Sequence, residues 1–416
     1  MYHEDSNTGA FRYLSCIPLS ATKALRTLTW PAIHKHLFVL NWSIPVFPML
    51  QILEISALEQ GNILDLVPSF WSGFPALETL IIKSSEHGPL WISFDEPEAP
   101  ELTKLVLDTR PGPQYRFHPL PRLQESLRCL SLRESTLSDN VDLEAILLSL
   151  TCLRELSLLD ISRPVSALLP NLTELHLEGP NMPRDVFFSA TSLRRSLCDI
   201  FPNLSKFRSL QSLTLEKLFV HTSRSPEFEF ALNYLRLSYC QVDASSGLLI
   251  AATRDLSIRA TNLLSVFSFR LSFPKLIAIE LHGSFEDLKP FESAAVNLSA
   301  LSFLHNELPS MRLPDEELNF NFPILKKLSL HATASRKRFD MLTALVTHVE
   351  KRKMDKLENV ELWFSDYEFN VLSRKRDALI KKLTRAGLSV SFHNKDLHLH
   401  DGSSRWNSWK ADLLLN

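Results

Sequence analysis

Glycine is the residue this chain most conspicuously lacks: 10 in 416 positions, against an average usage of about 7%. The shortage disfavours folds and sites built on Gly-rich phosphate loops, Gly hairpin turns or blade-corner glycines. Cysteine is scarce and odd in number: Cys16, Cys129, Cys152, Cys198 and Cys240, with no C-x-x-C pair. This usage fits neither a disulfide framework nor a zinc-finger spacing, and predicts reduced, buried thiols in the cytosol or nucleus. An excess of charge of either sign is missing as well. The net charge is −2, with 22% charged residues, which argues against a dedicated nucleic-acid or membrane-surface binder and against disorder. There is no long hydrophobic run. The longest uncharged stretch, Leu37–Leu53, is interrupted by Asn41, Pro45, Pro48 and Gln51 and falls short of the roughly 18 residues of a membrane span. Met1–Ala10 carries His3, Glu4 and Asp5 with no apolar segment behind it, unlike a secretory signal peptide. Without secretion, the N-x-[ST] matches at Asn41, Asn171, Asn203 and Asn297 are expected to be chance, and two of them directly precede a repeat leucine.

What the chain has instead is leucine, 77 residues of it. Length alone, at roughly 150 residues per domain, suggests two or three domains, but the leucines are not scattered. The hexapeptide L-x-x-L-x-L, with Ile, Val, Phe or Trp substituting, opens at Leu25, Leu50, Leu77, Leu102, Leu127, Leu153 and Leu172. It continues at Leu210, Leu232, Leu276, Leu298, Leu325 and Leu357, with a degenerate copy at Thr253. The mean interval is about 25 residues, inside the range of roughly 20–29 for leucine-rich repeats. Alternation of period 2 in each x-L-x-L marks a short strand with its leucines inward. One such unit cannot bury its own apolar face, so neighbours must stack into a parallel sheet. Parallel strands are joined by crossovers, which need no Gly hairpins.

The reading that follows is an α/β fold: a leucine-rich-repeat solenoid, or horseshoe, with a parallel concave sheet and a helical or irregular convex side. Residues 1–24 form an N-terminal tail or cap, 25–365 the solenoid, 366–402 a C-terminal capping helix and strand, and 403–416 a flexible tail. Pro precedes many repeats (FPAL at Phe74–Leu77, APEL at Ala99–Leu102, LPNL at Leu169–Leu172, FPKL at Phe273–Leu276, FPIL at Phe322–Leu325), where it fixes φ without needing a ladder N–H. Apolar spacing predicts crossover helices at Asp142–Leu150 and Phe339–Lys353. It predicts the capping helix at Phe369–Ala386, stopped by Gly387. The interval from Leu172 to Leu210 is long, and residues 178–209 hold either a helix with an irregular loop or a concealed repeat.

No phosphate-loop, dinucleotide, nucleophile-elbow, H-E-x-x-H or EF-hand motif occurs, so no catalytic residue, cofactor or metal is assigned and an enzyme is not expected. His393, His398, His400 and Asp401 are ligand types without a recognised spacing. Pro314–Glu317 reads as a solvated loop, and the basic triplets Arg336–Arg338, Lys351–Lys353 and Arg374–Arg376 as a solvated convex face. The candidate partner-binding residues are the central positions of the L-x-L cores, which project from the concave sheet. They are Glu54, Ser131, Ser157, His176, Thr214, Arg236, Glu280, Ser302 and Glu361. This mixed set suits a protein or peptide partner better than a phosphate backbone.

Irregular repeats of this length, FP-x-L lead-ins, strands such as LRTLTW and LRELSL, the Cys-bearing YLRLSYC at Tyr234–Cys240 and a closing helix followed by G-L-x-V-x-F resemble the leucine-rich region of F-box proteins of mushroom-forming fungi. The resemblance covers roughly Leu25–Asn394. It implies that the repeats select a target protein, while an N-terminal F-box docks onto the adaptor of a cullin-type ubiquitin ligase. Met1–Ala24 does not match the L-P-x-E opening of an F-box, so an adaptor contact would need an F-box further upstream. Two readings therefore stand: a ligase substrate receptor, or a ligase-independent scaffold or regulator. Both are expected in the cytoplasm or nucleus, with neither nucleic acid nor membrane as partner.

Overall fold

The computed structural model describes residues 23–30, 46–56, 64–66, 71–87, 90–92, 101–110, 116–117, 121–133, 142–161, 164–179, 197–200, 202–220, 231–242, 247–259, 261, 273–283, 291, 295–305, 322–331, 356–364, 373–385 and 387–394. The chain forms two compact units, Met1–Leu232 with Tyr239–Ser246, and Asn233–Ser238 with Gly247–Asn416.

In the first unit each hexapeptide becomes a strand, because its alternating leucines can be buried only on one side of a pleat. In chain order the elements are β1 (Thr27–Trp30), β2 (Ile52–Ser56), β3 (Leu64–Leu66), β4 (Thr79–His87), β5 (Leu90–Ile92), β6 (Lys104–Arg110) and β7 (Arg116–Phe117). There follow α1 (Pro121–Ser126), β8 (Cys129–Arg133), α2 (Leu143–Ser149), β9 (Glu155–Leu159), β10 (Glu174–Glu178), α3 (Leu197–Ile200) and β11 (Ser212–Glu216). The main sheet runs β1-β2-β4-β6-β8-β9-β10-β11. Its parallel register sets the second anchors Leu53, Leu80, Leu105, Leu130, Leu156, Leu175 and Leu213 side by side. All seven are at most 2% exposed, and the third anchors, from Ile55 to Leu215, at most 3%. Two smaller parallel ladders lie on the crossovers. One is β3-β5-β7; the other pairs β12 (Phe219–Val220) with a strand at Gln241–Val242. Sequence periodicity predicts only helices and irregular chain there, since runs of two or three residues are too short to show a period.

The chain then passes through β13 (Leu232–Ser238) and β14, the Gln241–Val242 strand just named. In the second unit, α4 (Gly247–Ala251) precedes β15 (Thr253–Arg259), β16 (Ala278–Gly283), β17 (Ala300–His305), β18 (Lys327–His331) and β19 (Asn359–Phe364). After α5 (Ser373–Arg385) comes β20 (Ser389–Asn394). Strands β15 to β20 are parallel and in register. The degenerate copy at Thr253 is a full member, with Leu256 and Ile258 at most 1% exposed. Both units are therefore parallel-sheet solenoids with one sheet strand per leucine-rich repeat.

Three local devices repeat. The first is the lead-in turn. The N–H of the first leucine donates to the carbonyl three residues back at Phe47/Leu50, Phe74/Leu77, Leu169/Leu172, Phe207/Leu210, Phe273/Leu276 and Phe322/Leu325, at 3.1–3.2 Å. This is a β-turn, and Pro at its second position is pre-set to the φ the turn needs. The turn's first residue is itself an anchor. Phe47, Phe74, Phe207, Phe273 and Phe322 are at most 3% exposed, and the Phe47 and Phe74 rings stack at 5.6 Å.

The second device joins successive turns. At several repeats the carbonyl after the first leucine accepts two N–H groups from the next repeat, as when Glu174 and Thr173 both donate to Arg154 and Arg154 and Glu155 both donate to Arg128. The third is a corner seven residues after the first leucine. Asp160 (φ 54°), Lys217 (φ 53°) and Tyr239 (φ 53°) are left-handed there, whereas Gly179, at the same repeat position, is not.

Other expectations resolve individually. Strand β10 pairs directly with β11, so no concealed repeat enters the main sheet between Leu172 and Leu210; α3 and a 3-10 turn at Leu204–Lys206 fill part of the interval. Helix α2 forms with Asp142 as N-cap, accepting from Ala145 N–H, and buries Leu143, Ile146 and Leu147. Helix α5 is described from Ser373. It ends at Gly387 (φ 85°), where Gly387 N–H donates to Thr384 and Leu388 N–H to Leu383, the paired bonds of a Schellman C-cap. Residues 1–22, the 339–353 helix, the 314–317 loop, the triplets 336–338 and 351–353, His398, His400, Asp401 and the 403–416 tail lie outside the described residues.

Candidate functional site: the outward sheet face

Side chains at the third and fifth hexapeptide positions leave the sheet on the side opposite the leucines. All nine sequence-selected residues are at the fifth position. In the first unit, parallel register strings Glu54, Ile81, Val106, Ser131, Ser157, His176 and Thr214 into one lateral row. In the second, Ser257, Glu280, Ser302, Ser329, Glu361 and Ser391 form the equivalent row, with Arg236 at the matching place in β13. One selected residue needs correction: Ser302 faces this side but is only 5% exposed. A short hydroxymethyl group in a close-packed row is overshadowed by longer neighbours, as are Ser257 and Ser329 at 3% and 2%.

Ion pairs tie adjacent strands across the face. Lys83 reaches Glu54 at 3.0 Å, Lys217 reaches Glu178 at 2.6 Å and Lys327 reaches Glu361 at 2.9 Å. Arg133 bridges two carboxylates, Asp108 at 2.7 Å and Asp160. Burial pulls the Arg133 guanidinium down, but its bonds to Asp108 and Asp160 outweigh this and raise it above its ordinary value. In the second unit Ser257 Oγ donates to Glu280 Oε2 at 2.7 Å, and His282 Nε2 lies 3.3 Å from Glu280 Oε1. The Tyr234 phenol packs against Ala278 and Ala300. Burial raises it to about 12, the Glu280 charge adds to this, and Arg236 and Ser257 oppose it.

The third-position row, absent from the nine candidates, supplies a pocket. Cys129, Glu155, Glu174 and Ser212 stand in register beside Ser131, Ser157, His176 and Thr214. Between Cys129, Glu155, Glu174 and Ser212 and the fifth-position Ser157, His176 and Thr214, over the strand backbone at Leu130, Leu156 and Leu175, is a cavity of about 140 Å³. Ser157 Oγ and His176 Nδ1 are 3.2 Å apart on its wall. Burial raises the Cys129 thiol to about 12, and its hydrogen bond to Glu155 adds to the shift; the sulfur is neutral at pH 7 and not a thiolate nucleophile. The signal was available in sequence, since residues two apart on a strand share a face.

The cysteines depart in part from expectation. Cys240 is buried and donates Sγ–H to Leu215 O at 3.3 Å, but Cys152 is exposed. It occupies the third position of the Leu150–Leu153 turn, whose side chain points away from the core. The N-x-[ST] asparagines Asn171, Asn203 and Asn297 each donate Nδ2–H to a carbonyl of an earlier segment, at 2.7–2.9 Å. Among the described residues, no group of three or more His, Cys, Asp or Glu is placed to hold a metal ion. Nor is any described helix long and apolar enough to cross a membrane.

The fold thus defines a class: parallel-sheet solenoids built on leucine-rich repeats. No family model and no curated protein matches the sequence. Among solved structures the chain is similar to an internalin (InlF) from Listeria monocytogenes, at 13% identity and a TM-score of 0.30 over 94% of this chain and 90% of that one. At those values the class assignment rests on the strand register and the buried anchors described above.

Proposed function

We propose that the chain is a protein-recognition solenoid whose outward sheet face holds a protein or peptide partner. One observation carries the reading: register gathers side chains distant in sequence into continuous rows, while the leucines that space them are spent on the core. The rows mix carboxylates, hydroxyls, imidazole, guanidinium and the apolar Ile81 and Val106, the chemistry of a protein interface and not of a phosphate-backbone track.

Within this reading the chain acts as the target-recognition part of an F-box-type ubiquitin-ligase receptor. The style of its repeats supports this: FP-x-L turns, YLRLSYC and the closing helix with Gly387. The competing reading is a ligase-independent scaffold that uses the same face. Photo-crosslinking residues placed at Ser131, Thr214 or Glu361 in the full chain are expected to capture a partner that the same group at Leu148, exposed on α2, does not. Equal capture at Leu148 would overturn the binding face. Binding of the purified cullin adaptor at micromolar concentration, by this chain or by the product of the gene with its upstream sequence in frame, supports the receptor; its absence from both, with the crosslinks retained, selects the scaffold.

A further inference from the structure

The first and last strands of the ladder carry the two halves of one joint. Inside the stack that joint recurs. The carbonyl of a repeat's second residue accepts the N–H groups of the next repeat's second and third residues, as Arg26 O accepts Gln51 and Ile52, and Lys326 O accepts Glu358 and Asn359. Strand β1 is an edge and pairs only with β2. The N–H groups of Arg26 and Thr27, second and third in their repeat, face its free side, and among the described residues no carbonyl meets them. The anchors agree. Leu25 and Leu28 are only half-buried, whereas the equivalent Leu50, Leu53, Leu77 and Leu80 are at most 1% exposed.

Strand β20 is the other edge and pairs only with β19. Its second-position carbonyl is that of Leu388, which accepts from no described N–H. Ser389 N–H donates to Glu358 O on the β19 side. Successive N–H groups of a strand point to opposite edges, so that of Val390 points away from β19. Val390 is half-buried, while Val360 and Leu328, its counterparts in β19 and β18, are at most 2% exposed. Neither edge strand holds a proline or a register shift, two devices that guard an exposed edge.

We infer that these edges fit each other in a second copy of this chain, with β1 of one molecule continuing the ladder from β20 of another in parallel. The joint lies at the sheet edges and is independent of the recognition reading above. Leu388 O takes the Arg26 and Thr27 N–H groups of the second copy, and Val390 lies beside its Leu28. The end of another stack is the occupant because it offers an acceptor carbonyl and an apolar anchor at the repeat's own spacing. The contact is heterologous, so each molecule keeps a free edge and association runs on head to tail instead of closing at two. Lys23 and Arg26 at one edge, and Lys381, Lys382 and Arg385 ahead of the other, make both ends basic, which weakens the joint at low ionic strength.

The test is sedimentation equilibrium of the full-length chain from about 1 to about 100 µM, at physiological salt and at about 1 M, where the Debye length shrinks to about 3 Å. The average mass is expected to climb past two chains without a plateau, and further in high salt. Thr27→Pro and Val390→Pro each remove an N–H that faces a free edge, where proline is tolerated. Either variant alone is expected to stay at one chain's mass. Their equimolar mixture is expected to level off at two chains, because the first keeps an intact β20 and the second an intact β1. Circular dichroism checks each fold; Leu28→Lys or Val390→Lys replaces a proline variant that fails it. A parent that stays at one chain overturns the inference. So does a parent that levels off at two chains, undiminished association in either variant, or a mixture of folded variants that does not pair.

Discussion

Gly179→Ala is the substitution in which the scarcity of glycine becomes measurable. A Cβ at this position would lie 2.3 Å from the Lys217 carbonyl oxygen and 3.1 Å from Leu218 Cδ2. Carbon and oxygen normally approach to about 3.3 Å at closest, so the two turns must part by about 1 Å. Gly179 N–H donates to Glu216 O across the same gap at 2.8 Å, and a displacement of that size breaks the bond. Overpacking costs about 1–3 kcal/mol and the lost hydrogen bond about 0.5–1.5 kcal/mol. The stiffer unfolded chain returns about 0.4–1 kcal/mol, leaving a net loss centred on about 2 kcal/mol. Gly387→Ala is the control. Nothing lies within 4 Å of its added Cβ, but φ is 85°, so the cost is backbone strain alone, about 1–2 kcal/mol. Urea denaturation followed by circular dichroism ranks the two, and hydrogen exchange at residue 179 locates the damage. The amide at 179 should lose protection in G179A and keep it in G387A. A G179A chain with an unchanged midpoint and a protected 179 amide would refute the close approach of these turns.

Leu235 is fully buried in β13, and Leu235→Ala is expected to cost about 2–5 kcal/mol as a cavity mutation; an unchanged thermal melt would remove Leu235 from the core. Of the three cysteines with assigned surroundings, Cys152 should react first with iodoacetamide at pH 8, while buried Cys240 and the raised Cys129 lag far behind; mass mapping of the alkylated peptides checks the order. Tyr234 is raised from 10.0 to about 12. The folded state therefore holds the phenolic proton more tightly than the unfolded chain, a contribution fully present below pH 10 and lost as the pH rises towards 12. Stability of the parent should accordingly fall more steeply than that of Tyr234→Phe across that window, and parallel denaturation curves at pH 9 and 11 would contradict the buried setting of Tyr234.

The sheet was legible because its signal is local and redundant. An anchor such as Leu156 is flanked by another at Leu153 and another at Leu158, and one-sided burial leaves no other way to satisfy all three. The same logic named Ser157 and His176 as outward neighbours before their 3.2 Å contact was visible. What escaped depends on partners across the ladder. The 5% exposure of Ser302 is set by side chains in neighbouring turns, not by its own strand. The left-handed corners at Asp160, Lys217 and Tyr239 carry no glycine to mark them. The residue type of Cys152 predicts burial, although the turn it sits in holds its side chain outward.

The doubly bonded carbonyls that join successive turns make the solenoid a ruler whose marks ignore the length of chain between them. Arg154 accepts Thr173 and Glu174 after a short crossover, and Thr173 accepts Gln211 and Ser212 after a long one. The next strand arrives one ladder step away, about 4.8 Å, in both cases. Length can therefore be added to or taken from a crossover without moving a single letter of the outward text. A partner that reads Ser157, His176 and Thr214 meets evenly spaced characters, and the gene is free to lengthen the loops behind the page.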